Sequence, residues 1–316
     1  MAKAARPEPT PGLVLVDKPQ GWTSHDVVGK MRSLAQTKKV GHAGTLDPMA
    51  TGLLILGVGK ATKLLTYVVG HDKTYTATVR LGQRTVTDDA EGDVVETTDA
   101  SAVTDQQIAR AVTHLTGDIQ QAPSAVSAIK VDGQRAYKRV RDGEDVTLSA
   151  RPVTVHRFDV QDIRHDGSVV DVDIEVEVSS GTYVRALARD LGEALGVGGH
   201  LTGLRRTAVG EWGIGQAASI GDLEAMRDEG AALPLVDLSS AARAVLPAIE
   251  VSAQDATALG FGQFIDHANH PDWLSDAPVA AAIAPHGEVV ALVERKRGRV
   301  GPVLVFVPAD PATGRQ

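Results

Sequence analysis

Asp47 lies in the middle of the run Gly41-His42-Ala43-Gly44-Thr45-Leu46-Asp47-Pro48-Met49-Ala50-Thr51-Gly52. A carboxylate can act as a nucleophile or a general base when its loop fixes its position. The glycines at 41, 44 and 52 permit tight turns and a close approach of a ligand to the main chain. Pro48 confines Asp47 to extended or turn geometry. The aliphatic run Leu53 to Leu56 then reads as a buried strand, which places the acid on a shaped loop leading into the core. The plainer reading of the same residues is that Asp47 caps a turn, or a helix that Pro48 begins.

Other residues have types that suit chemistry, and each also has a structural reading. Tyr75, in Lys73-Thr74-Tyr75, falls at an inward position of an alternating stretch, where a tyrosine usually serves the core. Ser179-Ser180-Gly181-Thr182-Tyr183-Val184-Arg185 joins a strand to a helix, with Gly181 at the turn and Arg185 in the first helical turn. The helix dipole opposes a cation there, so Arg185 needs a compensating acid. An exposed pair of that kind contributes at most ~1 kcal/mol. Leu204-Arg205-Arg206 reads equally as a core leucine beside a basic turn. His42, taken alone, is a hydrogen-bonded loop residue.

The run from Gly41 to Gly52 resembles the active-site motif of the TruB family, the bacterial tRNA pseudouridine-55 synthases, with Asp47 in register with the catalytic aspartate. Further matches extend the resemblance from about Gly12 to about Gly215. It implies that Asp47, Tyr75 and Arg185 are catalytic. Tyr75 stacks on the target base and is placed for proton transfer, and Arg185 pairs with Asp47 and keeps it ionised in a pocket that would otherwise raise its pKa. The substrate-binding set it implies is Lys18, His42, Lys130, Tyr183, Leu204 and Arg205. Within that set, Lys18 with Pro19 supports the catalytic loop, His42 contacts RNA near the displaced nucleotide, and Leu204 lines the uracil pocket. The stretch Gln121 to Tyr137 resembles the family's mobile insertion that clamps tRNA. Ser124 stands there where family members commonly have a second proline.

The elements that must position these residues follow from periodicity. Gly12 to Asp17 reads as a strand closed by Lys18-Pro19-Gln20-Gly21, and Ser24 as the cap of a helix with Val27, Val28, Met31 and Leu34 inward. Lys60 to Tyr67 reads as a short helix and Lys73 to Leu81 as a strand of period two. Thr87 to Asp93 is an acidic turn whose spacing does not fit a calcium loop, so it is assigned no metal. Thr104 with Gln107 forms a capping box for a helix ending near Thr116-Gly117. Gln120 to Asp145 reads as a long loop, of a length that in compact domains is usually functional or disordered. Val153–Asp162 and Val169–Val178 alternate and are expected to pair. Tyr183 to Leu195 is an amphipathic helix stopped by Gly196.

The chain has 316 residues, 43% hydrophobic and 23% charged, which suits a globular protein of about two domains. There is no cysteine, which excludes disulfides, thiolate metal sites and a cysteine nucleophile. Met1 to Pro11 reads as a disordered tail rather than a signal peptide. No apolar run approaches the ~18 residues needed to span a bilayer. The net charge of −8 argues against nonspecific binding of a polyanion, which must instead use local basic surface. Two basic groups are present: Lys130, Arg135, Lys138, Arg139 and Arg141 beside Tyr137, and Arg295, Lys296, Arg297 and Arg299 near the C-terminus. Either, alone, is an ordinary solvated face.

The expected fold is α+β, a mixed and largely antiparallel sheet flanked by helices (the pseudouridine synthase fold), followed by a small, mostly-β, PUA-like C-terminal domain. The expected boundaries are a tail over 1–11, a catalytic domain over 12–240 with its RNA-clamping insertion at about 120–150, and an RNA-binding domain over 246–316. Leu233 to Val245 reads as a connection between them. The resemblance implies an isomerase that flips a T-loop uridine of tRNA out of its stack and converts it to pseudouridine. It implies no cofactor and no metal, the T-arm of tRNA as partner, no obligate protein partner, a monomer, and a cytoplasmic location. The alternatives are an RNA-binding tRNA-folding chaperone of the same fold and a guide-RNA-dependent synthase acting on ribosomal RNA. A two-carboxylate glycoside hydrolase ranks last, because no second acid sits in a comparable loop.

Overall fold

A computed structural model describes residues 10–124, 149–266, 278–296 and 298–308, together with the backbone of 130–131 and 134–135. The expected N-terminal tail up to Pro9 lies outside the described residues, as do Tyr137, Lys138, Arg139, Arg141 and Arg297. The side chains of Lys130 and Arg135 lie outside them as well.

The main sheet is built from β1 (Gly12–Lys18), β2 (Val40–Ala43), β3 (Thr51–Val58), β4 (Lys73–Leu81), β5 (Gly117–Gln121), β6 (Arg151–Asp166), β7 (Val169–Val178) and β8 (Gly199–Val209). Its order is Ala218–Ser219, β1, β3, β8, β4, β7, β6, β5, with β2 added on β3. The β3–β8 and β1–Ala218 neighbours are parallel and the remaining pairs along this path are antiparallel, as expected for a mixed, largely antiparallel sheet. Helices follow as α1 (Ser24–Leu34), α2 (Leu65–Val69), α3 (Asp105–His114), α4 (Val184–Ala194), α5 (Ile220–Asp228), α6 (Leu238–Val245) and α7 (Ala253–Gly260).

The two kinds of strand pattern have one cause. Val14, Val16, Leu54 and Leu56 face a core filled by α1, α3, α4 and α5, while Leu13, Leu15, Leu53 and Ile55 face a second core on the opposite side. Strands buried on both faces read as continuous apolar runs. In β4 and β7 only one face is covered, so Tyr75, Ala77, Val79 and Leu81 are buried and Thr74, Thr76, Thr78 and Arg80 are not. On that open face Arg80 pairs with Asp171 at 2.7 Å, and Arg157 pairs with Glu175 at 2.6 Å.

The second core is shared with a smaller sheet of β9 (Ala248–Glu250), β10 (Val279–Ile283), β11 (Val289–Lys296) and β12 (Arg299–Val305), ordered β9, β10, β11, β12, Ile265–Asp266. Ala281, Ile283, Val289, Leu292 and Phe306 join Leu13, Leu15, Leu53 and Ile55 in one cluster. Leu233 to Val245 is therefore no bare linker. Val236–Asp237 pairs with β1, and α6 buries Ala241, Ala242 and Val245 between the two sheets. The last strand starts at Arg299, so Arg295 and Lys296 end β11 as exposed residues beside the β11–β12 connection.

Most local signals fall where the chain uses them, with two exceptions. Thr23, not Ser24, caps α1: its hydroxyl accepts from the Asp26 N–H at 3.1 Å, and the Asp26 carboxylate accepts from the Thr23 N–H at 2.8 Å. Ser24 is thereby free to turn inward. The long loop expected from Gln120 begins later than expected, because Gly117–Gln121 is a strand paired with β6.

Gly52 sits where β3 meets β8, with φ +98°, and a Cβ there would lie 2.2 Å from the Arg206 carbonyl oxygen. The close approach this glycine permits is that of another strand, not of a ligand. Gly52→Ala should destabilise the fold by about 3 kcal/mol or more, from backbone strain and the clash together. Denaturant unfolding checks this; a loss below about 1 kcal/mol would contradict the close packing of β3 on β8.

Candidate active site

The loop carrying Asp47 joins β2 to β3. Part of the glycine-rich run is thus strand: Val40–Ala43 pairs with Ile55–Val58. Pro48 begins no helix; Ala50 N–H returns to the Asp47 carbonyl at 3.1 Å in a tight turn. The loop is pinned on both sides of the acid. Leu46, Met49 and Ala50 are buried apolar anchors. The Ser24 hydroxyl takes both polar groups of Leu46, accepting from its N–H at 2.9 Å and donating to its carbonyl at 3.1 Å. Lys18, wholly buried, donates to Trp22 O at 2.6 Å, Pro19 O at 3.0 Å and Pro48 O at 3.3 Å. Lys18 thus supports the loop from behind, with a carbonyl acceptor for each of its three ammonium protons.

Arg206 holds the other end. Its Nε donates to Leu53 O at 2.7 Å and its Nη2 to Gly44 O at 3.0 Å. Arg205 was the arginine expected at the substrate. Adjacent residues of a strand face opposite ways, and Arg205 instead pairs with Asp17 at 2.7 and 3.0 Å and lines a neighbouring groove with Gln20, Thr51 and Thr76. Arg206 lines the cavity beside Asp47, opposite Tyr75 in the β8–β4 register.

That cavity has a volume of about 340 Å³. Asp47, Tyr75, Arg185, Tyr183 and Leu204 all line it, brought together from four separate parts of the chain. Arg185 Nε lies 3.1 Å from the Asp47 carboxylate, with the arginine side chain 7% exposed and the aspartate 39%. Burial raises the Asp47 pKa, the Arg185 charge opposes the rise, Asp89 adds to it, and Lys18 opposes it more weakly. The acid thus sits above the usual carboxylate range while its counter-ion limits the increase.

Sequence reasoning did not find the second carboxylate on Arg185. Asp89, in the acidic turn assigned no role, lies 3.2 Å from Arg185 Nη1 with its side chain 3% exposed. The Thr87 carbonyl accepts from the same nitrogen at 2.9 Å. Gln121 was missed as well: its side chain clamps Tyr183, accepting from the backbone N–H at 2.8 Å and donating to the carbonyl at 3.2 Å. The only signal for either was an acid or an amide at the edge of a turn, which carries no address for a partner distant in sequence.

His42 stands just outside the cavity. Its ring meets His25 edge-on at 5.5 Å between centroids, and its buried Nδ1 has no hydrogen-bond partner among the described residues. Burial, then the neighbouring His25 and Arg206 charges, lower its pKa and favour the neutral ring. Lys73 lines the cavity wall, donating to Val69 O and His71 O at 3.0 and 2.5 Å. Burial, reinforced by Arg206, lowers its pKa to about 8. Lys130 belongs to a two-residue strand paired with Gln134–Arg135. No group of three or more metal-ligating side chains occurs among the described residues.

The chain is similar to known proteins over nearly its whole length. Residues 32–184 match the N-terminal domain of the TruB family pseudouridylate synthases. Residues 185–247 match a tRNA pseudouridylate synthase B C-terminal domain, and 246–307 the C-terminal region of tRNA pseudouridine synthase II. A tRNA pseudouridine synthase B from Arthrobacter sp. (strain FB24) is 60% identical, covering 96% of this chain and 99% of that protein. Its counterpart from Mycobacterium avium (strain 104) is 53% identical, covering 96% and 98%. Among solved structures, a chain of an H/ACA RNP bound to a substrate RNA containing 2'-deoxyuridine superposes with a TM-score of 0.69 at 23% identity, covering 95% of this chain and 86% of that one. At that identity the likeness is one of fold.

If Asp47 must be ionised to act, the acid limb of kcat/KM falls at a pH above the ordinary aspartate range. Arg185→Gln removes the group that lowers the Asp47 pKa, so the limb should move to still higher pH, each unit of movement costing about tenfold in rate below it. A limb that stays in place or moves down would show that Arg185 does not hold the Asp47 pKa down.

Proposed function

This chain belongs to the TruB family of pseudouridylate synthases, and from that premise we propose how it makes pseudouridine 55 in tRNA. As an isomerase it breaks the bond between uracil N1 and ribose C1′, forms a bond from C5 to C1′, loses the C5 proton and gains one at N1. Product and substrate are isomers, so nothing is transferred in net.

The proposed roles follow from the cavity. A base stacked in RNA presents neither C1′ nor C6 to a carboxylate, so the uridine leaves the stack and enters the space beside Asp47. The Tyr75 ring forms one wall for stacking, and its phenol oxygen is the proposed acceptor for the C5 proton as the phenol's own proton passes on toward N1. Leu204 closes the pocket against the uracil, and Tyr183 lines it from the start of α4. Attack on C1′, attack on C6 and removal of a ribose proton all begin from the same ionised carboxylate. Arg185 keeps Asp47 in that state and fixes its direction. The observation that carries this reading is the 3.1 Å ion pair inside a cavity walled by Tyr75.

The proposed partner is the T-arm of tRNA, bound by a monomer in the cytoplasm. Cationic residues over about 120–150 and the exposed Arg295 and Lys296 supply the phosphate contacts that a chain of net charge −8 must localise. No helix among the described residues is long and apolar enough to cross a membrane. The guide-RNA-dependent alternative gains only a shared fold from the 23% likeness, whereas the bacterial enzymes match at 50–60% over nearly the whole chain.

The test is Asp47→Asn, which keeps size and polarity but removes the charge. On an unmodified tRNA transcript, with no guide RNA, it should form no pseudouridine at position 55, with tRNA affinity within about threefold of wild type. Turnover by this variant would end the assignment. A variant that has lost tRNA binding would show that Asp47 serves the fold of the site instead.

A further inference from the structure

Ser124 is the last of the residues described at the start of the insertion, and its side chain is fully buried. Its hydroxyl donates to the Thr87 carbonyl at 3.2 Å. That carbonyl also accepts from Arg185 Nη1 at 2.9 Å, so one oxygen joins the start of the insertion to the guanidinium that faces Asp47.

The residue after Thr87, Asp88, has φ +59°, in the left-handed region that a residue with a Cβ enters at a cost. Such a conformation persists only where its surroundings impose it. Four contacts do so. Asp88 N–H donates to Thr85 O at 3.4 Å, and Leu201 N–H donates to Asp88 O at 3.0 Å. Arg189 Nη1 lies 3.4 Å from the Asp88 carboxylate. The fourth is the bond from the Ser124 hydroxyl to the carbonyl of the preceding residue, Thr87; burial raises the Asp88 pKa, and the nearby hydroxyl opposes the rise. The consequence is geometric: on either side of Asp88, the Thr87 carbonyl and the Asp89 carboxylate converge on Arg185 Nη1.

The segment leading to Ser124 is fixed from the same direction. Arg189 Nη2 donates to Ala122 O at 2.8 Å, and Gln121 clamps the backbone of Tyr183 at the start of α4. These attachments of residues 121–124 all reach α4 or the Thr87–Asp89 turn, the two elements that set where Arg185 points.

We propose that Ser124 is a positioning residue for the isomerisation, holding Asp88 left-handed so that Thr87 and Asp89 keep Arg185 directed at Asp47. This rests on the proposed roles of Asp47 and Arg185. It makes the alignment of the catalytic pair depend on how the insertion enters the fold. The charged groups around the pair are Asp88, Asp89 and Glu91 from the turn, Arg189 and Asp190 from α4, Lys18 from β1, and Lys73 and Arg206 on the facing wall. Removing the hydroxyl raises the Asp88 pKa further, and a less negative Asp88 would move the Asp47 limb to lower pH, so a limb that moves to higher pH reports the orientation of Arg185.

The experiment compares wild type, Ser124→Ala and Ser124→Cys in single-turnover conversion of tRNA as a function of pH, with tRNA affinity and thermal unfolding measured on each. Ser124→Ala should lower the rate at neutral pH by about fivefold, the effect of one neutral hydrogen bond. Its acid limb should move to higher pH while affinity stays within about twofold. Ser124→Cys, close in size but a weak donor, should fall between the two. An acid limb that does not move overturns the proposal, whether or not the melting temperature drops, because a purely structural serine would change stability alone. If Asp47→Asn is inactive while Ser124→Ala matches wild type, the inference fails and the assignment of Asp47 stands.

Discussion

A guanidinium held between two carboxylates is the constraint on which the rest of the site depends. Arg185 enters in the first turn of α4, where the helix dipole disfavours a cation, and its side chain is 7% exposed. A buried charge in that position is tolerated only with close partners. It has Asp47 at 3.1 Å, Asp89 at 3.2 Å and the Thr87 carbonyl at 2.9 Å. Asp89 is almost fully buried and Asp47 faces the cavity, so one acid anchors the cation and the other opens onto the cavity. The arrangement explains how a pocket dry enough to raise the pKa of a carboxylate can still hold that carboxylate ready to react.

Most of the fold serves to keep that geometry still. β1 and β3 are buried on both faces, which fixes the strand that leaves the Asp47 loop. The loop itself is tied down by Lys18, Ser24 and Arg206, none of which needs to touch the substrate to matter. Because the C-terminal sheet shares a core with Leu13, Leu15, Leu53 and Ile55, it supports the same strands from behind. Removing it would expose those residues and leave the strands that carry the site without their backing.

Much of this was legible in the sequence, and what was not has physical reasons. Continuous apolar runs marked the doubly buried strands, alternation marked β4 and β7, and the apolar stripe marked α4. A motif match brought Asp47, Tyr75 and Arg185 together across the chain. Short-range chemistry misled where two neighbouring residues could fill the same role. Thr23 took the cap that Ser24 was expected to fill, and Arg206 rather than Arg205 faces the cavity because strand parity separates neighbours. Asp89, Gln121 and Ser124 were not legible. Each acts through contacts distant in sequence, and no local pattern encodes such contacts.

A double-mutant cycle between positions 47 and 185 tests the central claim most directly, by denaturant unfolding, because Asp47→Asn leaves no turnover to compare. If the carboxylate and the guanidinium act as one unit, Asp47→Asn combined with Arg185→Gln should lose less stability than the two single losses added together. Losses that add to within about 0.5 kcal/mol would show that the two residues act independently and would contradict a coupled pair.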